Sequence, residues 1–219
     1  MGAVVRAAVF DLDGVIVDTA RFHFAAWRRL AREFGFELDE ELGESLKGVG
    51  REAALRIVLE SGGVVLSPDE SAAAASRKNR YYNEHLASLD ADALLPGALD
   101  GLRWLREREI PVALASASRN ARTILATTGI ESSFDEIVDG TVVTAAKPDP
   151  AVFRVAADRL GIPPAECVVF EDAVAGVQGA LRAGCQVVGI GDPAVLVDAG
   201  LVVPTLADVP WASVFAVAD

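Results

Sequence analysis

A short apolar run that ends abruptly in two aspartates constrains the fold of this chain most. The run extends from Val4 to Phe10, and Asp11, Asp13 and Gly14 follow it. A run of this length that is rich in valine and alanine predicts a strand buried on both faces of a parallel sheet. Open α/β sheets bind their ligands at the carboxyl ends of such strands. Two carboxylates at that place repel each other unless a cation or a shared proton lies between them.

Three further segments place polar groups where predicted strands or turns end. These groups are the hydroxyls of Ser116 and Ser118 after residues 112–115, the ammonium of Lys147, and the carboxylates of Glu171 and Asp172 after residues 168–170. Carboxylates, together with phosphate and water, are the ligands that Mg²⁺ prefers. A hydroxyl and an ammonium beside them suit phosphate oxygens. Together the four segments predict a site for Mg²⁺ and a phosphate.

Lysine usage singles out three positions. Of the 20 basic residues, Lys47, Lys78 and Lys147 are lysines and the other 17 are arginines. Because this chain uses arginine for most surface cations, each lysine is a candidate for a site that needs a compact, strongly hydrated charge. Lys147 precedes Pro148, and proline makes that turn rigid by fixing its own φ. The turn is therefore a suitable place to hold one ammonium group still.

The periodicity predicts one core domain interrupted by a helical insertion. Residues from about 17 to 89 show helical apolar stripes, whereas helix and strand patterns alternate after residue 97. Such alternation is typical of βαβ units and a parallel sheet. We therefore predict an α/β fold, with a doubly wound, Rossmann-like parallel sheet in residues 1–16 and 90–219. Residues 17–89 are predicted to form an α-helical cap domain over the carboxyl edge of the sheet. Five strands are predicted, at about residues 4–10, 110–116, 136–139, 167–170 and 186–190.

Composition and charge narrow the range of partners. The chain has 219 residues, of which 52% are hydrophobic, and a net charge of −12. That charge argues against nucleic acid or an anionic membrane as a partner. Cys167 and Cys185 lie in or beside apolar strand patterns, which favours buried free thiols in a reducing compartment. The opening hydrophobic stretch is short and broken by Arg6, so we predict no signal or membrane segment and expect a cytoplasmic protein.

The motifs, in this order and spacing, resemble the haloacid dehalogenase superfamily of aspartate-nucleophile phosphotransferases. The resemblance extends from Arg6 to about Leu206 and is closest to the β-phosphoglucomutase family. The superfamily motifs alone imply phosphoryl transfer to an aspartate. The resemblance also includes Asp18-Thr19, His23 with Ala26-Trp27, Leu46-Lys47-Gly48-Val49 with Arg51, and Arg77-Lys78-Asn79. The more specific part of it is the set of His23, Lys47-Gly48-Val49 with Arg51, and Lys78. Most of these residues lie in the predicted cap, the segment that selects the substrate.

The resemblance implies roles for the residues around the reacting phosphate. Asp11 is implied as the nucleophile that forms an aspartyl phosphate, and Asp13 as the general acid and base for the sugar oxygen. For that role Asp13 needs a raised pKa or a hydrogen-bond partner, which Thr19 or His23 can supply. The implied Mg²⁺ ligands are Asp11, the backbone carbonyl of Asp13, and Asp172, with Glu171 close by. Lys147 and Ser116 are implied to neutralise the transferring phosphoryl oxygens.

The resemblance also implies a site for the rest of the substrate. An isomerase must hold a second phosphate while the sugar turns, and arginine suits this because its planar fork binds phosphate bidentately. The implied distal clamp is Arg51 with Ser118, Arg119 and Asn120, while Lys47 and Lys78 meet sugar hydroxyls or position His23, and Gly48, Val49 and Ala117 complete the site. The implied cofactors are Mg²⁺ and β-glucose 1,6-bisphosphate, the substrate is a phosphorylated hexose, and we expect a monomer.

Three hypotheses about function remain at this stage. The resemblance favours an isomerase that interconverts β-glucose 1-phosphate and glucose 6-phosphate through the bound 1,6-bisphosphate. The main alternative is a sugar-phosphate or phosphoglycolate phosphatase, which needs no distal clamp and must admit water. The intact aspartates and Lys147 argue against a non-catalytic relative. Departures from the family pattern leave the preferred sugar open: Gly50, Ala54 and Ala173 stand where hydroxyl residues are expected, and Arg119 where lysine is expected.

Overall fold

The protein is built on a parallel sheet. The structure, a computed structural model, describes residues 4–46, 49–86 and 89–216. Six strands form the sheet: β1 (Ala7–Phe10), β2 (Val112–Ala115), β3 (Glu136–Val138), β4 (Cys167–Glu171), β5 (Gln186–Ile190) and β6 (Leu201–Val203). Their spatial order is β3-β2-β1-β4-β5-β6, and every neighbouring pair is parallel. The direction of winding reverses at β1, so the predicted doubly wound α/β fold is confirmed.

Helices follow the strands and also fill the insertion. The helices between β1 and β2 are α1 (Ala20–Glu33), α2 (Glu40–Ser45), α3 (Arg51–Ser61), α4 (Pro68–Leu86) and α5 (Ala98–Glu107). The later helices are α6 (Ala121–Thr127), α7 (Ala151–Leu160), α8 (Val174–Ala183) and α9 (Trp211–Val214). Within the described ranges, none of these helices combines the length and the apolar character that a membrane crossing needs.

Side chains of the sheet alternate between two apolar clusters, one on each face. In β1, Ala8 and Phe10 belong to the cluster that includes residues of α5 and α6, whereas Ala7 and Val9 belong to the cluster with residues of α7 and α8. Burial on both faces explains why the strand sequences are continuously apolar rather than alternating. The second cluster also contains Cys167 and Cys185, which are free and buried as predicted.

Helices α1, α3 and α4 share an apolar cluster of their own. Trp27 and Leu30 of α1 pack there with Leu55 of α3 and Ala74 of α4. Near its carboxyl end, α4 instead contributes Tyr82 to a cluster of the sheet. Ala26 of α1 belongs to that cluster as well, so the inserted helices have a separate core and also pack against the sheet through α1 and α4. The predicted boundaries of the insertion, residues 17 and 89, stay a prediction.

Candidate active site

Four loops meet at the carboxyl edge of the sheet. Strands β3, β2, β1 and β4 are neighbours, and Phe10 at the end of β1 pairs with both Leu114 and Phe170. Because the strands end in register, the polar residues that follow them lie close together. Those that follow β1, β2 and β3 line a cavity of about 810 Å³, whose wall also includes side chains from α1, α3 and α4. The sheet and the inserted helices therefore both form the site.

Lys147 forms buried ion pairs with two carboxylates. Its Nζ donates to Oδ1 of Asp11 and to Oε1 of Glu171, and the three side chains are 8% exposed or less. Burial alone lowers the pKa of Lys147, but the two paired carboxylates raise it above its ordinary value. Burial also raises the pKa of Glu171, which Lys147 opposes. The charged ammonium therefore compensates negative charge that would be costly to bury unpaired.

Asp13 lies beside Asp11 in a different environment. Thr19 Oγ1 donates a hydrogen bond to Asp13 Oδ1. Burial and the negative charge of Asp11 raise the pKa of Asp13 to about 6, although the Thr19 hydroxyl and two lysines oppose the shift. A carboxyl group with a pKa near neutrality can both give and take a proton at the working pH. Asp13 therefore has the electrostatic environment that a general acid and base needs.

A line of polar contacts leads from α4 through α1 towards Asp13. Lys78 Nζ lies 2.6 Å from His23 Nδ1, and His23 Nε2 lies 3.9 Å from Asp13 Oδ1. Burial and the charge of Lys78 hold the pKa of His23 well below its ordinary value, so the imidazole is neutral at pH 7. A protonated Lys78 can only donate, so in that state Nδ1 accepts from it and the ring proton is on Nε2, the nitrogen nearer Asp13. Burial and Arg51 lower the pKa of Lys78 itself to about 7.

A second polar cluster lies where α3 and α4 meet the loop before α6. Arg51 Nη2 donates to Asn79 Oδ1 at 2.8 Å, and Asn120 Nδ2 donates to the same oxygen at 3.3 Å. The loop is ordered by its own serines. The amide of Ser118 donates to Ser116 Oγ at 3.1 Å, and the amide of Asn120 donates to Ser118 Oγ at 3.2 Å. The loop thus holds hydroxyl and amide groups beside Arg51.

Positive charge collects on this side of the cavity. Arg51 and Arg119 both line it, and neither forms an ion pair with an acid in the part of the chain that the structure describes. Burial and the neighbouring Arg119 lower the pKa of Arg51, while Glu52 opposes the shift. Guanidinium groups without a paired carboxylate attract an anion even in a chain of net charge −12. This cluster is therefore suited to a phosphate.

Three carboxylates at the ends of β1 and β4 can hold a metal ion. One oxygen each of Asp11, Glu171 and Asp172 lies within 4.8 Å of the others. Gly14 makes this approach possible, because it has a φ of +90° and a side chain at its position would collide with the Asp172 carboxylate. Hard oxygen donors at this density fit Mg²⁺. The Asp13 side chain is not one of the three, and the sequence prediction for Asp13 concerns its backbone carbonyl.

The sequence matches a known enzyme family over most of its length. Residues 5–184 match the haloacid dehalogenase-like hydrolases. The chain belongs to this family. A β-phosphoglucomutase of Bacillus subtilis (strain 168) is 40% identical to this chain over 205 residues, an alignment that covers 93% of this chain and 91% of the relative. The predicted resemblance is therefore confirmed.

The similar proteins of this family are named for two different activities. A crystal structure of a β-phosphoglucomutase from Clostridium difficile superposes with a TM-score of 0.92 at 36% identity, covering 96% of this chain and 95% of that one. A phosphorylated carbohydrates phosphatase of Thermotoga maritima is 32% identical, covering 90% of this chain and 92% of the relative. Both isomerases and phosphatases thus occur among the relatives, so the choice between these two activities has to be argued from the site.

The structure brings most of the predicted site residues to one cavity. Its wall includes Asp11, Asp13, His23, Val49, Arg51, Lys78, Ala117, Ser118 and Arg119. Thr19, Ser116, Lys147 and Glu171 are buried, and Thr19 contacts Asp13 while Lys147 and Glu171 contact each other and, through the lysine, Asp11. Lys47 and Gly48 lie outside the described residues. The sequence analysis quoted Asn79 in the motif Arg77-Lys78-Asn79 but gave it no role in the site.

Proposed function

We propose that this protein is a β-phosphoglucomutase that interconverts β-glucose 1-phosphate and glucose 6-phosphate. The observation that carries the proposal is a second anion-binding cluster, Arg51 with Arg119 and Asn120, near the cavity that contains Asp11. A phosphatase needs to hold only the phosphate that it removes, whereas a mutase must hold two. The relative from Bacillus subtilis that is 40% identical supports the same activity.

Transfer at Asp11 divides the reaction into two steps of the same kind. A carboxylate oxygen of Asp11 bonds to phosphorus, the bond between phosphorus and the sugar oxygen breaks, and Asp13 gives its proton to that oxygen. In the reverse sense, Asp13 takes the proton from a sugar hydroxyl as that oxygen attacks the aspartyl phosphate. Starting from the phosphoenzyme, β-glucose 1-phosphate becomes the 1,6-bisphosphate, which turns and returns its other phosphate to Asp11.

The remaining groups stabilise charge and exclude water. Lys147 lies against Asp11, where its ammonium can neutralise phosphoryl oxygens, and Ser116 follows the neighbouring strand. Asp11, Asp172 and the backbone carbonyl of Asp13 would hold Mg²⁺, with Glu171 close by. The ion supplies positive charge that the transferring phosphoryl group requires. Thr19 and His23, which contact Asp13, lie in the inserted segment. When the inserted helices close over the sheet, they place Asp13 to act on a sugar hydroxyl and keep water away from the aspartyl phosphate.

We also propose the compartment, the oligomeric state and the activator of this enzyme. Two free thiols buried in one apolar cluster are typical of a reducing compartment, so we propose a cytoplasmic enzyme. We also propose that it acts as a monomer on a phosphorylated hexose, with β-glucose 1,6-bisphosphate as the activator.

The experiment that tests the function is ³¹P NMR of the purified protein with Mg²⁺, β-glucose 1-phosphate and a trace of the 1,6-bisphosphate. We expect conversion to glucose 6-phosphate with little free phosphate. Steady release of inorganic phosphate instead would contradict the mutase. The same sample without the bisphosphate is the control, and it should show a lag because the enzyme must first be phosphorylated.

One observation favours a phosphatase as the second candidate. Gly50, Ala54 and Ala173 lack hydroxyls that the mutase family is expected to carry, and the relative from Thermotoga maritima is named a phosphorylated carbohydrates phosphatase. Missing hydrogen bonds to the sugar would hold it less firmly and would give water more access to the aspartyl phosphate. The ratio of free phosphate to glucose 6-phosphate in the NMR experiment measures this leak directly.

A further inference from the structure

Asn79 joins two parts of the molecule through a single oxygen atom. It lies on α4, and its Oδ1 accepts from Arg51 on α3 and from Asn120 in the loop before α6. One donor thus comes from the inserted helices and the other from the sheet domain. Because both hydrogen bonds end on one atom, they aim the guanidinium and the amide at nearly the same point in space.

The acceptor that the chain uses here is neutral. A carboxylate at this position would pair with Arg51 and would cancel the charge that a phosphate needs. The amide oxygen of Asn79 instead fixes the direction of the guanidinium and leaves its charge uncompensated. Arg119 lies close enough for its positive charge to lower the pKa of Arg51, so it adds to the local excess of positive charge. A hydrogen bond of this kind orients a charged donor with little loss of its attraction for anions.

We propose that Asn79 is a positioning residue for the second phosphate of a sugar bisphosphate, holding Arg51 and Asn120 in the arrangement that binds it. This inference rests on the proposed function, since a phosphatase has no need of that phosphate. Asn79 acts through its two donors and does not itself touch the reacting atoms. Its contribution is to reduce the conformational freedom that Arg51 and Asn120 lose when the phosphate binds.

The test is an affinity difference between two ligands. Calorimetry with Mg²⁺ gives the dissociation constants of β-glucose 1-phosphate and of β-glucose 1,6-bisphosphate, with Asp11→Asn in every sample so that no phosphoryl group is transferred. We expect the bisphosphate to bind about a hundredfold more tightly. Asn79→Ala should reduce that ratio about tenfold by releasing both donors. Asn83→Ala, on an exposed part of the same helix, is the matched control and should preserve it.

A second variant separates positioning from a merely structural role. In Asn79→Asp the carboxylate accepts from Arg51 and Asn120 more strongly, so a structural role predicts that this variant is at least as good as Asn79→Ala. The positioning role predicts the opposite order, because the carboxylate neutralises Arg51 and repels the phosphate. The bisphosphate should then bind no more tightly than the monophosphate.

The outcomes distinguish this inference from the proposed function. If the Asp11→Asn protein with Asn79 intact shows no preference for the bisphosphate, the second phosphate site and the mutase assignment fail together. If it shows the preference and both Asn79 variants keep it, the mutase assignment stands and the role of Asn79 is wrong. If Asn79→Asp keeps more of the preference than Asn79→Ala, the contact is structural.

Discussion

At the scale of single residues, two neighbouring aspartates have separate tasks because their surroundings differ. Asp11 is paired with Lys147, whereas Asp13 contacts Thr19 and has a pKa of about 6. A nucleophile must stay ionised, and an acid-base group must exchange a proton. The sequence analysis predicted this division from the motif, and the pairing with Lys147 and Thr19 gives it a physical basis.

The division of tasks predicts different defects for two matched substitutions. Acetyl phosphate can phosphorylate Asp11 without an acid catalyst, because acetate leaves without a proton. Asp11→Asn should therefore give no phosphoenzyme with acetyl phosphate and Mg²⁺. Asp13→Asn should still be phosphorylated, but its turnover of sugar phosphates should fall about 10²- to 10⁴-fold, since the sugar oxygen needs that proton. Mass spectrometry of the intact protein detects the added phosphoryl group, and phosphorylation of the Asp11→Asn variant would contradict the nucleophile assignment.

Lys78 carries a cost to stability that depends on pH. Burial and Arg51 lower its pKa from 10.5 to about 7, so the unfolded chain binds a proton between these values that the folded protein does not. The cost is therefore full below pH 7, falls as the pH rises towards 10.5, and disappears above it. Lys78→Met should be more stable than the unmodified protein at pH 6 by on the order of a few kcal/mol, and this advantage should disappear as the pH approaches 10.5.

Urea unfolding at pH 6, 8 and 10 measures how the stability advantage of Lys78→Met falls with pH. The lost hydrogen bond to His23 adds a constant offset of about 1 kcal/mol against the variant. Arg80→Met replaces an exposed cation on the same helix and should show no such change with pH. A stability difference between Lys78→Met and the unmodified protein that is the same at all three pH values would refute the lowered pKa.

At the scale of elements, the sequence predicted five strands because burial on both faces makes them continuously apolar. It missed β6, Leu201–Val203, since a strand of three residues with an exposed first side chain has no such run. It also began β1 too early, because Val4 is apolar but 65% exposed. Hydrophobicity alone does not show whether an apolar residue has a neighbour to pack against. In β1 and β2, the carboxyl ends, where polar residues interrupt the run, were predicted more accurately than the amino ends.

The turn after β1 predicts a comparison between two glycines. Gly14 and Gly35 have similar backbone angles, with φ of +90° and +87°, so alanine strains both by about 1 kcal/mol. At Gly35 a side chain meets nothing within 4 Å, but at Gly14 it collides with the Asp172 carboxylate. Gly14→Ala should therefore lose more stability than Gly35→Ala and should bind Mg²⁺ about tenfold more weakly or worse, because Asp172 must move.

Thermal unfolding and Mg²⁺ calorimetry on both variants measure these effects. Gly35→Ala serves as the control for backbone strain and should bind Mg²⁺ like the unmodified protein. Equal losses of metal affinity in the two variants would show that strain, rather than the displacement of Asp172, is responsible. Equal stability with normal metal affinity would remove Gly14 from the proposed Mg²⁺ site.

At the scale of the whole molecule, the site depends on contacts that no local pattern contains. Asn79 accepts from Arg51 and Asn120, which lie 28 and 41 positions away along the chain. Spacing along a helix or strand predicts which residues share a face, but it carries no information about how the inserted helices lie against the sheet. The sequence analysis therefore assigned both donors to the distal clamp, but it gave no role to Asn79, the acceptor between them.

Because Arg51 belongs to the cluster for the second phosphate, we expect Arg51→Ala to lose isomerisation and to keep phosphoryl transfer at Asp11. The Arg51 side chain contacts Asn79 beside the loop before α6, whereas Asp11 is paired with Lys147. Its loss should therefore weaken the hold on the second phosphate and spare the reacting one. Isomerisation of β-glucose 1-phosphate should fall about a hundredfold, from the loss of one or two charged hydrogen bonds. Hydrolysis of acetyl phosphate, which has no second phosphate, should fall at most a few-fold.

The matched control is Arg56→Ala, an exposed arginine on the same helix, which removes the same charge from the molecule without touching the cavity. Coupled assays for glucose 6-phosphate and for free phosphate compare the three proteins under one set of conditions. Arg51 has no other role in this scheme than to hold the far phosphate while the sugar turns between the two positions. If Arg51→Ala lowers both activities equally, the residue serves the closure of the helices over Asp11, and the second phosphate must be held elsewhere in the cavity.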